Sequence, residues 1–430
     1  MSDAAFDREF DDMEREREEQ ERIRKRREQR KDTFPPMTVK GLSKVLGITI
    51  KHDDVNKVVA FFCYLSAYTE ESQFNIIFNA PSSSGKSYIA LEVASLFPKE
   101  DVMLRGYCSA KAFFHDPSAY WEDDDTYTLD LERKIVVFVD QPHPNLLEHM
   151  RPVLSHDQKR ITMKITDKTE KKGLRTKTLV LVGYPSVVFC TAGLKMDEQE
   201  TTRFLLLSPE TTKEKIGEGV VEAVRKGADP DAYFASLNSN PDRHLLMHRI
   251  AAIKEEDIRC VKIPDQNLLA ERFLSTFKPW KPRHQRDVKR LMSLIQSHAL
   301  LNLWHRLTTD DPHVIIASKE DIEAAFRIWG EIAVSQELNL PPYVLKFYEE
   351  VIEPLYEKER RGLRRQEILK AYLEVYGRTL NPHALGKEIL PMLERAGLIY
   401  QETDPNDRRN KLVFPSYHRE NGYNGNRGEN

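Results

Sequence analysis

The 430-residue chain lacks any uninterrupted apolar run approaching the roughly 18 to 20 residues that a membrane-spanning helix needs. Its first 30 residues are crowded with charge and carry no apolar signal core. The chain is therefore expected in the cytoplasm, away from membranes. Cysteine is scarce as well: Cys63, Cys108, Cys190 and Cys260 lie far apart with no Cys-x-x-Cys spacing, which argues against a zinc cluster or a disulfide framework and for reduced core thiols. Neither sign of charge dominates, because the formal net charge is -3. A balanced total neither demands nor excludes nucleic acid, so any such partner must be argued from local basic segments. Internal repeats are absent too. What is present is 40% hydrophobic residues, enough to build cores for two or three domains in a chain of this length.

Residues 7–31 are almost wholly Glu, Asp, Arg, Lys and Gln. With scarcely an apolar side chain to bury, the segment predicts an exposed helix supported by weak pairs three or four residues apart, either a solvated tail or an arm for a protein partner. Phe34-Pro35-Pro36 should end it. Residues 1–36 thus form a charged arm and linker. Residues 39–68 carry apolar positions at helical spacing, Val55, Val58, Val59, Phe62 and Leu65 among them.

Residues 74–79 then read as a buried strand running into Ala80-Pro81-Ser82-Ser83-Ser84-Gly85-Lys86-Ser87, after which 87–97 has helical periodicity. Strand, loop and helix are the setting a phosphate-binding P-loop requires. In a loop of this kind, here Pro81 to Ser87, successive backbone N–H groups (from Ser82 onward) wrap phosphate oxygens, helped by the positive end of the following helix. Lys86 adds a point charge at the γ-phosphate, and Ser87 is placed to ligate Mg²⁺. ATP with Mg²⁺ is the implied cofactor. Ala80 stands where the usual pattern has its first glycine, a change tolerated because the tight turn depends on Gly85.

Two further apolar strands, 135–140 and 186–191, alternate with helical segments, which predicts an α/β fold with a parallel sheet covered on both faces. Asp140 ends the first of them and is placed to hold the Mg²⁺ hydration shell. Gln141 follows where most such ATPases have a glutamate that deprotonates the attacking water. An amide orients water but is a far poorer base, so hydrolysis is slow, another base serves, or the glutamine was introduced to trap an ATP-bound state. Thr191 ends the other strand and can reach the γ-phosphate or the water. Arg203, ahead of the apolar strand 205–207, suits an arginine finger toward a neighbouring subunit's nucleotide, and Arg286, at the start of the periodic helix 285–306, can contact the γ-phosphate.

Between the two strands, 160–166 and 174–182 are strand-like halves around the polar tip 167–173, an inserted β-hairpin. Lys168, Lys171, Lys172, Arg175 and Lys177 put several cations on this one projection, suited to following a phosphate backbone without reading bases. DNA, single-stranded or forked, is the implied partner. Residues 341–415 read as three helices and a hairpin formed by 398–401 and 411–414, a winged-helix pattern, and 418–430 as a disordered tail.

In this order the P-loop, the acidic strand, the inserted hairpin, Thr191, the Thr202-Arg203-Phe204 run and Arg286-Asp287-Val288 resemble an AAA+ ATPase, and within that class the MCM replicative helicases and MCM-like helicases of mobile elements. The likeness spans about 39–415. It implies an AAA+ core over 37–240, a helical lid over 241–340, a winged helix over 341–417, and a homo-oligomer, a hexameric ring with ATP at each interface and the hairpin in the pore. The zinc-bearing N-terminal DNA-binding domain common in cellular members is absent. An ATP-dependent DNA helicase or translocase of replication or element mobilisation is the first expectation. The alternatives are a non-unwinding DNA-binding regulator, such as a helicase loader, replication initiator or target-site regulator, and a protein-remodelling ATPase. The lysine-rich tip favours nucleic acid over a peptide-gripping pore loop, which usually carries an aromatic residue.

Overall fold

The computed structural model describes residues 3–106, 108, 113, 120–121, 126–167, 175–192 and 202–416. Lys168, Lys171, Lys172 and the 418–430 tail lie outside them, as do the side chains of Arg175 and Lys177.

The strands are β1 (Ile76–Asn79), β2 (Val102–Arg105), β3 (Tyr120–Trp121), β4 (Thr126–Asp130), β5 (Ile135–Phe138), β6 (Arg160–Asp167), β7 (Arg175–Val182), β8 (Ser186–Thr191) and β9 (Leu205–Leu207), followed by β10 (Cys260–Lys262), β11 (Leu307–Thr308), β12 (Val314–Ile316), β13 (Leu363–Arg364), β14 (Ile399–Asp404) and β15 (Asp407–Pro415). A five-stranded parallel sheet in the order β2-β5-β8-β1-β9 forms the centre. Its β1, β5, β8 and β9 are buried along their whole length, which is why they read as unbroken apolar runs without alternation. One face packs on the Asp54–Ser66, Lys86–Ala94 and His284–Leu301 helices through Phe62, Val93 and Leu294. The other packs on the Pro144–Leu154 helix and on a second sheet through Phe138, Leu146 and Leu181.

That second sheet, β3-β4-β7-β6, contains the expected hairpin. β6 and β7 pair antiparallel from Arg160↔Val182 to Asp167↔Arg175, and β4 adds in parallel on β7. The hairpin is therefore rooted in a sheet of its own beside the central one. β2 and β4 have no counterpart in the sequence reading.

The N-terminal helix, Asp3–Thr33, corrects the expectation of a wholly solvated arm. Ile23, Arg27 and Phe34 are buried, Phe34 stacking on Trp304 at 4.5 Å. The fixing element is Glu256, fully buried, which accepts from Arg27 Nε at 2.8 Å, Arg30 Nη1 at 2.7 Å and Arg26 Nη2 at 3.1 Å. Docking by charge rather than by apolar stripe is why hydropathy alone missed it.

Residues 342–415 form a separate core around Phe347, Ile352, Ile368 and Leu390. Three helical stretches, 342–359, 365–376 and 382–395, pack with the sheet β13-β15-β14, whose hairpin turn is shorter than the gap between the expected strands 398–401 and 411–414, since β14 runs to Asp404 and β15 begins at Asp407. No helix among the described residues is long and apolar enough to cross a membrane.

Candidate nucleotide site

Parallel pairing places the carboxyl ends of three neighbouring strands side by side. Asn79 of β1 is opposite Thr191 of β8, and Phe138 of β5 is opposite Phe189, so Asp140, two residues beyond Phe138, comes level with Thr191. Such a crevice beyond the carboxyl ends of parallel strands is where open α/β sheets bind ligands.

The loop after β1 is bent by Ser83 at φ 63° and Gly85 at φ 92°. The first is an unfavourable conformation for a residue with a side chain, of the kind found where a loop is held for a ligand. Glycine supplies the second without steric cost. The Lys86–Ala94 helix begins directly after, aiming its unpaired N–H groups at the loop. Lys86, nearly buried, donates from Nζ to Ala80 O and Pro81 O at 2.8 Å each. Burial lowers its pKa, partly offset by the neighbouring Cys190 and Asp140. Burial also pushes the Cys190 thiol up to about 11, so it stays protonated beside the site. Ser84 Oγ is buried without a partner among the described residues. An ammonium resting on its own loop and an orphaned hydroxyl are groups that phosphate oxygens would satisfy.

Ser87 Oγ donates to Val139 O at 3.3 Å, which ties the start of the helix to the residue before Asp140. The exposed Asp140 carboxylate accepts from the Gln141 N–H at 2.7 Å. Thr191 Oγ1 donates to Gln141 Oε1 at 2.9 Å. The described residues hold no group of three His, Cys, Asp or Glu that binds a metal unaided. Ser87 and Asp140 are the side chains here that could supply the one or two protein ligands Mg²⁺ takes, with phosphate oxygens and water for the rest.

Arg203 and Arg286 are placed together elsewhere. Arg286 Nη1 donates to the Thr202 hydroxyl and Arg290 Nη2 to the Thr202 carbonyl, while Arg203 Nε donates to Ser155 Oγ at 2.8 Å. Asp287 anchors the group, accepting from Arg283 and Arg290 at 2.8 and 2.9 Å. Among the described residues no hydrogen bond or ion pair joins Arg286 to the P-loop of its own chain.

A second part of the site was not visible in the sequence. Beside Ser83, Ser84 and Gly85 opens a cavity of about 590 Å³, walled by Ile50, Tyr88, Ile89, Ile216 and Val220. The Lys213–Ala228 helix forms one wall and buries none of its residues, so Ile216 and Val220 line the cavity while each is 57% exposed. Lys215 holds this helix to the loop through an ion pair with Asp53, a bond to Glu210 O at 2.9 Å and an approach to Ser84 O at 3.5 Å. Tyr88 Oη donates to Thr49 O at 2.9 Å and closes the opposite wall.

No protein-family model and no curated protein matches the sequence. Among solved structures the chain is similar to a full-length MCM homolog from Methanopyrus kandleri, with 11% identity and a TM-score of 0.45 over 74% of this chain. The match covers 61% of that protein, so this chain spans about three fifths of its length.

Proposed function

We propose that this chain is an oligomeric AAA+ ATPase that moves along DNA, a helicase or translocase of replication or mobile-element mobilisation. The supporting observation is the convergence of Lys86, Ser87, Asp140, Gln141 and Thr191 at the carboxyl ends of β1, β5 and β8. In this reading the triphosphate lies in the loop 80–87, and Ser87 and Asp140 would hold Mg²⁺, which would supply positive charge to the phosphoryl oxygens. The nucleoside lies in the adjoining apolar cavity. Arg203 and Arg286, joined through Thr202, face the nucleotide of a neighbouring copy and supply cation charge in trans. The core is 37–240, the lid 241–340 and the winged helix 341–417. The lysines between β6 and β7 track the phosphate backbone.

Gln141 favours a second reading, a DNA-binding regulator that switches with nucleotide and does not unwind, because an amide cannot take a proton from water at neutral pH. Strand displacement on a forked substrate separates the two. The Gln141→Glu form should unwind the fork with ATP, and the Lys86→Ala form should neither bind nor hydrolyse ATP. DNA-stimulated hydrolysis by Gln141→Glu without any unwinding would sink the motor and leave the regulator.

A further inference from the structure

The cavity beside the P-loop is completed by residues nearly 300 positions away. Tyr376 and Arg378, from the 342–415 unit, stand on its wall together with Ser83–Gly85 and Ile216. They are firmly seated there. Tyr376 Oη donates to Glu350 Oε2 at 2.7 Å, its ring packs on Tyr372 at 4.7 Å, and Arg378 Nε donates to Tyr372 Oη at 3.1 Å. Between them Gly377, at φ 66°, ends the Arg365–Tyr376 helix and turns the chain back, a conformation that favours glycine. With Nε engaged, the Arg378 Nη groups have no hydrogen-bond acceptor among the described residues, and the residue is exposed.

A second contact reaches the same unit from the P-loop strand itself. Ser208 Oγ donates to the carbonyl of Asn79, the last residue of β1, at 2.6 Å, and accepts from the Tyr343 N–H, at the start of the unit, at 3.2 Å. Gln336, just ahead of the unit, brackets Leu206 of β9 with bonds of 3.0 and 2.8 Å. The unit is thus registered on the strand next to β1 while its Tyr376–Arg378 corner overhangs the cavity.

We propose that Arg378 and Tyr376 bind the nucleoside half of the nucleotide in the same chain, so that the 342–415 unit detects whether the P-loop is occupied. This rests on the reading of 80–87 as a triphosphate site. The planar guanidinium donates through Nη to ribose or base acceptors, and the Tyr376 ring closes the apolar wall against the base. Phosphates reach the loop without touching either residue. The C-terminal unit therefore responds to nucleotide and not to polyphosphate.

The test uses the full chain with Mg²⁺ and a fluorescent N-methylanthraniloyl-ATP, displaced by ATP or by inorganic tripolyphosphate. Arg378→Ala should weaken ATP about tenfold, the scale of one lost charged hydrogen bond, with tripolyphosphate unchanged. Arg378→Lys should recover part of the loss, and Tyr376→Phe, which keeps the ring, should bind nearly as the parent does. ATP, but not tripolyphosphate, should slow amide exchange at 372–378. Wild-type ATP affinity in both Arg378→Ala and Tyr376→Ala, with binding abolished in Lys86→Ala, would overturn this inference alone. Equal weakening of ATP and tripolyphosphate would overturn it as well, since the effect would then act on the loop. Failure of the parent chain to bind ATP would remove the P-loop reading and this inference together.

Discussion

Thr191 Oγ1 donates a hydrogen bond of 2.9 Å to Gln141 Oε1, so the two strands that flank the acidic position are joined through the side chain that most needs to be oriented. With its oxygen engaged, Gln141 has its amide NH₂ left to offer, a donor that can position water but cannot deprotonate it. A glutamate in the same place accepts from Thr191 with one oxygen and keeps the other for the water. Gln141→Glu should therefore raise ATP turnover by about 10²-fold or more, the usual contribution of a general base. Phosphate release measures it, and an unchanged rate would show that the base lies elsewhere. Thr191→Val should remove most of the gain while leaving ATP affinity near that of the parent.

Arg203 and Arg286 lie on either side of Thr202, and Arg286 takes the Thr202 hydroxyl rather than any P-loop group of its own chain. If they complete a neighbour's site, subunits defective in opposite halves should complement each other. In the Gln141→Glu background, equal mixtures of Lys86→Ala and Arg203→Ala chains should hydrolyse ATP faster than either alone, because some interfaces then pair an intact loop with an intact arginine. Mixtures no faster than the sum of the separate forms would count against a shared site, as would a monomeric chain in sedimentation with ATP.

Lys168, Lys171 and Lys172 lie in sequence between β6 and β7, which are braced by eight paired positions from Arg160↔Val182 to Asp167↔Arg175. A protein that neutralises phosphates releases counterions, at about 0.7 per contact on single strands. Changing all three lysines to alanine should flatten the plot of log affinity against log salt for single-stranded DNA by roughly 2 units of slope. Fluorescence anisotropy from 50 to 300 mM salt, on the order of the range over which such binding falls steeply, reads it. An unchanged slope would remove the tip from the DNA path.

The core of the candidate site was legible because one loop carries both Lys86 and Ser87, and buried parallel strands announce themselves as apolar runs. β8 and β9 have the bounds their sequence suggests, and β5 ends two residues short of Asp140, which leaves that carboxylate at the exposed strand edge. β2 and β4 were not legible, being four and five residues long and only partly buried, with no full apolar run to mark them. The cavity was invisible for another reason. Ile50, Ile216 and Tyr376 come from three distant segments, and only the folded topology brings them beside Gly85. The docked half of the N-terminal helix was missed because its partner, Glu256, is a charge buried by other charges.

That burial makes Glu256 the most sensitive point of the arm. Burial by itself would raise its pKa, but hydrogen bonds from Arg27, Arg26 and Arg30 hold it below the ordinary glutamate value. A carboxylate with a depressed folded pKa stabilises the fold above its unfolded pKa of about 4.5, and the contribution is lost as pH falls through the folded value. Acid should therefore release the arm. Glu256→Ala leaves Arg27, itself nearly buried, without its charge partner, and also strips the acceptor from Trp304 Nε1 at 3.3 Å. Removing one member of a buried ion pair costs about 3 to 5 kcal/mol. Thermal unfolding at pH 7 should show that loss, and limited proteolysis should cut near Arg30 in Glu256→Ala and not in the parent. The double change Arg27→Met with Glu256→Met should recover a large part of the stability, since it removes both charges from the same buried site. A single Glu256→Ala chain as stable and as protease-resistant as the parent would mean that Phe34 and Trp304 alone hold the arm in place.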